Sequence, residues 1–87
     1  KLAGALPLGE GISGTCAESR RGLLVADYPS WPKAHPAYIA IGIRTAIAQP
    51  LLIRGQLLGV ITMSRTESDA PPFEPKDLDI LQRFASQ

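Results

Sequence analysis

Eighty-seven residues make one small domain with room for a single modest core, since a chain of this length buries only about 60% of its unfolded surface. An apolar content of 45% excludes a disordered segment, and nine basic against eight acidic side chains leave a net charge of +1, without the basic footprint of a nucleic-acid binder. One cysteine excludes an internal disulfide or a multi-cysteine zinc site, and no apolar run reaches the roughly 20 residues of a membrane span, so a cytoplasmic protein is expected.

The segment from Glu10 to Arg20 contains no proline and sets Ile12, Cys16 and Ala17 at helical spacing, which predicts a short helix with those residues buried. Gly9 and Gly11 precede it, and Gly22 stands where left-handed backbone would end it. The words GEGISG lack the Lys and Ser or Thr that a phosphate loop needs after its last glycine, so the glycines are expected to serve a turn and close packing. Leu23 to Asp27 is an apolar run bounded by Gly22 and the Tyr28-Pro29 corner, which predicts a buried strand.

Tyr28 to Pro36 holds three prolines, a tryptophan and a histidine, which is loop chemistry with an aromatic character. Pro36 suits the first position of a helical turn running into HPAYIAIGI. Thr45 to Ile53 and Leu57 to Arg65, separated by Arg54-Gly55-Gln56, predict a β-hairpin at the centre of the sheet, the most buried unit of the fold and covered on both faces. Pro50 lacks a ladder donor, so it belongs at a bulge or on an edge. After the polar loop TESDAPP, Pro75 opens an amphipathic helix carrying Leu78, Leu81, Phe84 and Ala85 on one face.

In order and spacing, the stretches LPLGEGISG with CAESRRGLLVADY, IRTAIAQPLLIRGQLLGVITMSR and FEPKDLDILQRFAS resemble a GAF domain of the bacterial signalling type. The resemblance implies an α+β fold, PAS-related, with an antiparallel sheet, helices on one face and a ligand pocket under loops on the other. Family members usually carry a leading helix and two strands before the GEG turn. Residues 1–87 are therefore expected to form a single partial GAF-like domain, the C-terminal two thirds, lacking those elements. The implied function is a non-catalytic regulatory or sensory module that binds a small molecule under residues 28–43 and signals through the closing helix to an attached output domain, as a homodimer. The alternative is a dimerisation or interaction module with a collapsed pocket and no ligand. The resemblance names no cofactor and no specific ligand.

The phosphodiesterase branch of that family has an Asn-Lys, Phe, Asp-Glu motif. This chain keeps Phe73 and Asp77 at the same spacing but has Ser64-Arg65 and Leu78 at the other positions, so cyclic-nucleotide specificity is not implied. What survives is a charge pairing, and an ion pair between Arg65 and Asp77 is expected to fix the closing helix. Aromatic rings with polar tips either plug a small core or line a small-ligand pocket. The resemblance favours lining, with Tyr28, Trp31, Tyr38, Ile41 and Thr45 as ligand-binding residues.

Chemistry-bearing residues are sparse. Cys16 falls at a helical packing position; GAF-like free methionine sulfoxide reductases use cysteines, but with a resolving thiol that this chain lacks, and bilin attachment wants a Cys-His setting that TCAES does not offer. His35 has no second ligand at metal spacing, and Glu10, Glu18 and Asp27 have no nucleophile to serve. The inventory leads to the expectation that the chain is not an enzyme.

Overall fold

The computed structural model describes residues 9 and 11–86. The elements in chain order are helix α1 (Gly11–Ser19), strand β1 (Leu23–Val25), a 3-10 turn (Tyr28–Ser30), helix α2 (Pro36–Ala40), strands β2 (Thr45–Ile53) and β3 (Gln56–Arg65), and helix α3 (Pro75–Ala85). The three strands are antiparallel in the order β1-β2-β3. This is the expected α+β class. The expected helix start at Glu10 lies outside the described residues.

Because alternate residues of a strand point to opposite faces, β2 divides its neighbours between two layers. Ala46 and Ala48 sit opposite Ser64 and Thr62 on one face, where Ile12 and Cys16 of α1, Val25 and Tyr28 close over them as one core cluster. Ile47, opposite Met63, faces the other way and packs with Phe73 and Leu81 in a second cluster. The small side chains at Ala46 and Ala48 let α1 approach the sheet closely, whereas the face under α3 carries larger residues.

The hairpin is the centre of the sheet only in part. Residues Thr45 to Ala48 are buried, yet Leu52, Ile53 and Leu58 at the distal end and Thr62, Met63 and Ser64 opposite the buried half of β2 are exposed, so the expected coverage of both faces holds for the first half of β2 and not for β3. Pro50 pairs with Val60 beyond the reach of β1, and the register shifts between Leu51 and Leu52, leaving Leu58 as the extra residue of a bulge. The turn is tighter than expected: Ile53 pairs with Gln56, and Arg54 and Gly55 alone connect the strands with φ of 51° and 79°. Positive φ at both positions is the type I′ signature, and glycine supplies one of them without cost.

Helix α1 ends at Ser19, and the left-handed residue that stops it is Arg20, with φ 58°, not Gly22. Arg20 nitrogen donates to the Cys16 carbonyl at 2.8 Å, completing the last turn. Gly22 instead lies close against Gln49 of the central strand.

At α3, Pro75 occupies the first turn as expected, but the Arg65 to Asp77 ion pair is absent. Asp77 turns back on its own helix, where its Oδ2 accepts from the Glu74 backbone nitrogen at 2.8 Å. Arg65 donates through Nη1 to the Pro71 carbonyl at 2.8 Å and lies 4.2 Å over the Phe73 ring. Each charge is taken by a nearer partner, the orphan helix amides in one case and the connecting loop in the other.

Two stability outcomes follow from these contacts. Asp77→Ala is expected to lose about 1 kcal/mol with the cap, and a double-mutant cycle with Arg65→Ala should give a coupling below about 0.5 kcal/mol in urea unfolding. The Thr45 hydroxyl donates to the Val25 carbonyl at 3.1 Å and accepts from the Phe73 nitrogen at 3.0 Å, all of it buried. Thr45→Val keeps the shape and strands both partners, so calorimetry should show a loss of roughly 2 kcal/mol or more.

Candidate functional site

A cavity of about 150 Å³ opens on the α1 side of the sheet, lined by Ile12, Ser13, Tyr28, Tyr38, Ile43, Ala46, Thr62, Met63 and Ser64. Thr62, Met63 and Ser64 on its β3 side are exposed, so it opens to solvent there. Its floor is the β2 and β3 pair, where Ala46 lies opposite Ser64; one wall is the first turn of α1, and the other is the segment from Tyr28 to Ile43.

Tyr28 organises that segment. The ring is fully buried in the core, its backbone nitrogen donates to the Arg44 carbonyl at 2.9 Å, and its hydroxyl accepts from the His35 nitrogen at 2.9 Å. A buried tyrosine thus satisfies its polar tip while tying the two ends of the loop together. Trp31 follows the 3-10 turn and packs on Tyr28 with centroids 5.7 Å apart at 53°. His35 caps α2 by accepting from the Ala37 nitrogen on Nδ1 at 3.1 Å, with its ring 5.4 Å from Tyr38. His35, which has no second ligand at metal spacing, therefore has a structural task.

The glycines before α1 meet the expectation of a turn. Gly9 and Gly11 have φ of 83° and 63°, and the Gly11 nitrogen is occupied by the Lys33 carbonyl at 3.1 Å. That bond seats the beginning of α1 against the aromatic loop, which is how Ile12 and Ser13 come to line the cavity.

Of the five residues expected to bind ligand, Tyr28 and Tyr38 line the cavity and Trp31 packs behind Tyr28. Ile41 lies apart from the cavity: it follows the last residue of α2 and is 66% exposed. Thr45 is buried on the opposite side of β2, where its hydroxyl is taken up by Val25 and Phe73. Residues that the sequence reading overlooked are Ile12, Ser13, Ile43, Ala46, Thr62, Met63 and Ser64. A signal for three of them was present in period two: Ala46 alternates with Ile47, and Thr62 and Ser64 share one face of β3, but the runs were weighed for apolarity and not for side-chain size.

Cys16 is completely buried on the same face and donates through Sγ to the Arg21 carbonyl at 3.2 Å. Burial pushes its thiol from an ordinary 9.0 up to about 11, so thiolate is scarce at neutral pH. No cluster of His, Cys, Asp or Glu that could hold a metal occurs among the described residues. No helix among them is long and apolar enough to cross a membrane.

With this geometry in view, comparison with known proteins gives a consistent answer. The GAF domain family model matches residues 1–87. Similar solved structures include the free methionine-R-sulfoxide reductase of Neisseria meningitidis in complex with its substrate, at 25% identity and TM-score 0.79, covering 93% of this chain and 46% of that one. The reduced free methionine-R-sulfoxide reductase of Staphylococcus aureus superposes at 22% identity and TM-score 0.78, covering 93% and 50%. The GAF domain of a phosphoenolpyruvate-protein phosphotransferase from Coxiella burnetii does so at 24% identity and TM-score 0.74, covering 92% and 48%. This chain thus spans about half the length of these structures. No curated protein matches it.

The reductases overturn one expectation. The residue inventory argued against an enzyme, yet the same fold carries reductase activity in N. meningitidis and S. aureus. The inventory counted thiols over a stretch that corresponds to half of such an enzyme, and the lack of a second thiol inside that stretch decides nothing about catalysis.

The thiol itself can be checked. Native protein should react slowly with a thiol reagent and unfolded protein quickly. Because the folded pKa lies above the unfolded one, the unfolded state ionises first; stability should be intact below pH 9 and fall as the pH rises toward 11. Cys16→Ala should remove that slope from urea titrations across the range.

Proposed function

The chain belongs to the GAF domain family, and on that footing we propose that it is the ligand-binding part of a regulatory module, taking a small molecule in the cavity between α1, the Tyr28 to Ile43 segment and the hairpin. The observation that carries the reading is the double duty of β2. Ala46 lines the cavity while its neighbour Ile47 packs under α3, and Thr45 next to them holds both β1 and the residue leading into α3. A molecule that shifts β2 on one face is therefore felt on the other within a single residue.

A ligand moves such an equilibrium only by binding its two arrangements unequally. The Tyr28 to Ile43 segment supplies that inequality, since Tyr38 lines the cavity while its loop is held by a handful of single hydrogen bonds at Tyr28, His35 and Gly11. Ordering or displacing this loop changes the environment of Trp31, and the strain passes through β2 to α3. The signal is then read by an output domain joined to this one in a longer protein, a setting in keeping with the phosphotransferase that carries the Coxiella domain.

A second reading, self-association through α3, is favoured by the exposure of Ile80 and Phe84 on that helix beside Met63 of the sheet. In this case two copies would bury those side chains against each other, and sedimentation should show a dimer that Phe84→Asp dissociates while Trp31 is unaffected.

For the ligand reading, a metabolite screen against the full chain followed by Trp31 fluorescence is expected to give a saturable change, with slowed hydrogen exchange in α3 as well as in the loop. Tyr38→Ala should weaken binding by about tenfold or more, the loss of one packed aromatic wall, with the unfolding midpoint little changed. Exchange that slows in the loop and stays constant in α3 would remove the transmission step. Turnover of free methionine-R-sulfoxide, assayed alongside, would place chemistry in the site.

A further inference from the structure

Among the described residues β3 has one neighbour, since the strand order β1-β2-β3 leaves its outer side without a ladder. That side runs for ten residues, against three in β1 at the other edge of the sheet. Long bare edges are usually guarded by charge, proline or a covering segment. From Leu57 to Ser64 the strand has neither a charged residue nor a proline, and Leu58 and Met63 are exposed at 61% and 51%. Its one guard is the bulge at Leu58, which leaves Gly59 to Ser64 as a regular stretch. Two cavities on opposite faces of the sheet meet at this edge. The one under α3, of about 230 Å³, and the one under α1, of about 150 Å³, share Met63 as a lining residue. In the second, the exposed lining residues are Thr62, Met63 and Ser64, all of β3.

We propose that the β3 edge is a docking surface for one further strand, supplied by the same polypeptide from outside residues 1–87. The choice of a strand follows from the two cavities. A small molecule fills one of them, and a helix laid against α3 covers one face; only an extended segment in the plane of the sheet sends alternate side chains to both. Its backbone also takes up the outward N–H and C=O groups of β3 as a row. The side chains are set in character by what they meet: large apolar ones on the side of Ile47, Ile80 and Phe84, smaller ones on the side of Ile12, Thr62 and Ser64. The source follows from length, because the reductase and phosphotransferase structures that this chain superposes on hold about as much chain again as it covers. The docking stands whether or not the α1-side cavity takes a ligand.

Backbone hydrogen exchange tests this on residues 1–87 and on the polypeptide at its full encoded length. In the shorter chain, alternate amides from Gly59 to Ser64 are expected to exchange as fast as those of loops, and in the longer one to slow by at least about a hundredfold, with the amides of β2 alike in both. A peptide, acetyl-Thr-Leu-Thr-Ile-Ser-Leu-Thr-amide, titrated into residues 1–87 should slow the same amides saturably. Its version N-methylated at every residue keeps the side chains and cannot form a ladder, so it should bind at least about tenfold more weakly. Met63→Lys, at an exposed position, should weaken the peptide with little change in the unfolding midpoint. Equal exchange of β3 in the two lengths would overturn the proposal, as would equal binding of the two peptides, which would make the surface an apolar groove and not an edge. Slow exchange in residues 1–87 alone, together with a dimer in sedimentation, would give the edge to a second copy and overturn the source.

Discussion

A three-residue run of β2, Thr45 to Ile47, carries the whole arrangement. Both faces of the sheet must be covered from a single central strand, so every residue there belongs to one layer or the other, and Thr45 belongs to the joint between them. Its buried hydroxyl accepts from the backbone nitrogen of Phe73 and donates to the carbonyl of Val25. Without it two backbone groups would be left dry and unpaired, which is costly in a domain whose net stability is small. The β1 strand is only three residues long and has little ladder of its own, so this bond is a large share of what keeps it in register.

The two faces are built by different means. Under α3 the side chains are large, with Ile47, Leu81 and Phe73 packed together and Arg65 over the Phe73 ring, beside an apolar cavity of about 230 Å³ bordered by Met63, Ile80 and Phe84. On the α1 side the residues at the sheet are alanines and small hydroxyl residues, and the volume they leave is only partly taken by Tyr28 and Tyr38. The difference in side-chain size between two faces of one strand sets large apolar walls on the α3 side and small, partly polar ones on the α1 side.

Local features were legible in the sequence and tertiary ones were not. The hairpin followed from two apolar runs around Gly55, and the start of α3 from Pro75, because each depends on backbone preferences of a few adjacent residues. Arg65 and Asp77 were misjudged for the opposite reason: their partners, the Pro71 carbonyl and the Glu74 amide, are backbone groups that charge matching does not reveal. Ile41 was grouped with the binding residues because it is apolar and near Tyr38, yet Gly42 at φ 96° turns the chain just after it and leaves it outside. Tyr28 and Tyr38 turn toward the cavity because an aromatic in a proline-rich loop needs an apolar surface to rest on. Ser13 was beyond reach until α1 was seen to begin against Lys33.

Helix α1 is held at two places by contacts that do not involve its own turns. At its first residue, Gly11 donates to the Lys33 carbonyl, and just past its last, the Arg20 guanidinium reaches the carbonyl of Gly55 at the tip of the hairpin. Of the cavity's two walls, α1 is thus the one tied to distant parts of the chain, while α2, a five-residue helix with no buried side chain, is held mainly through its own flanks at Tyr28 and His35.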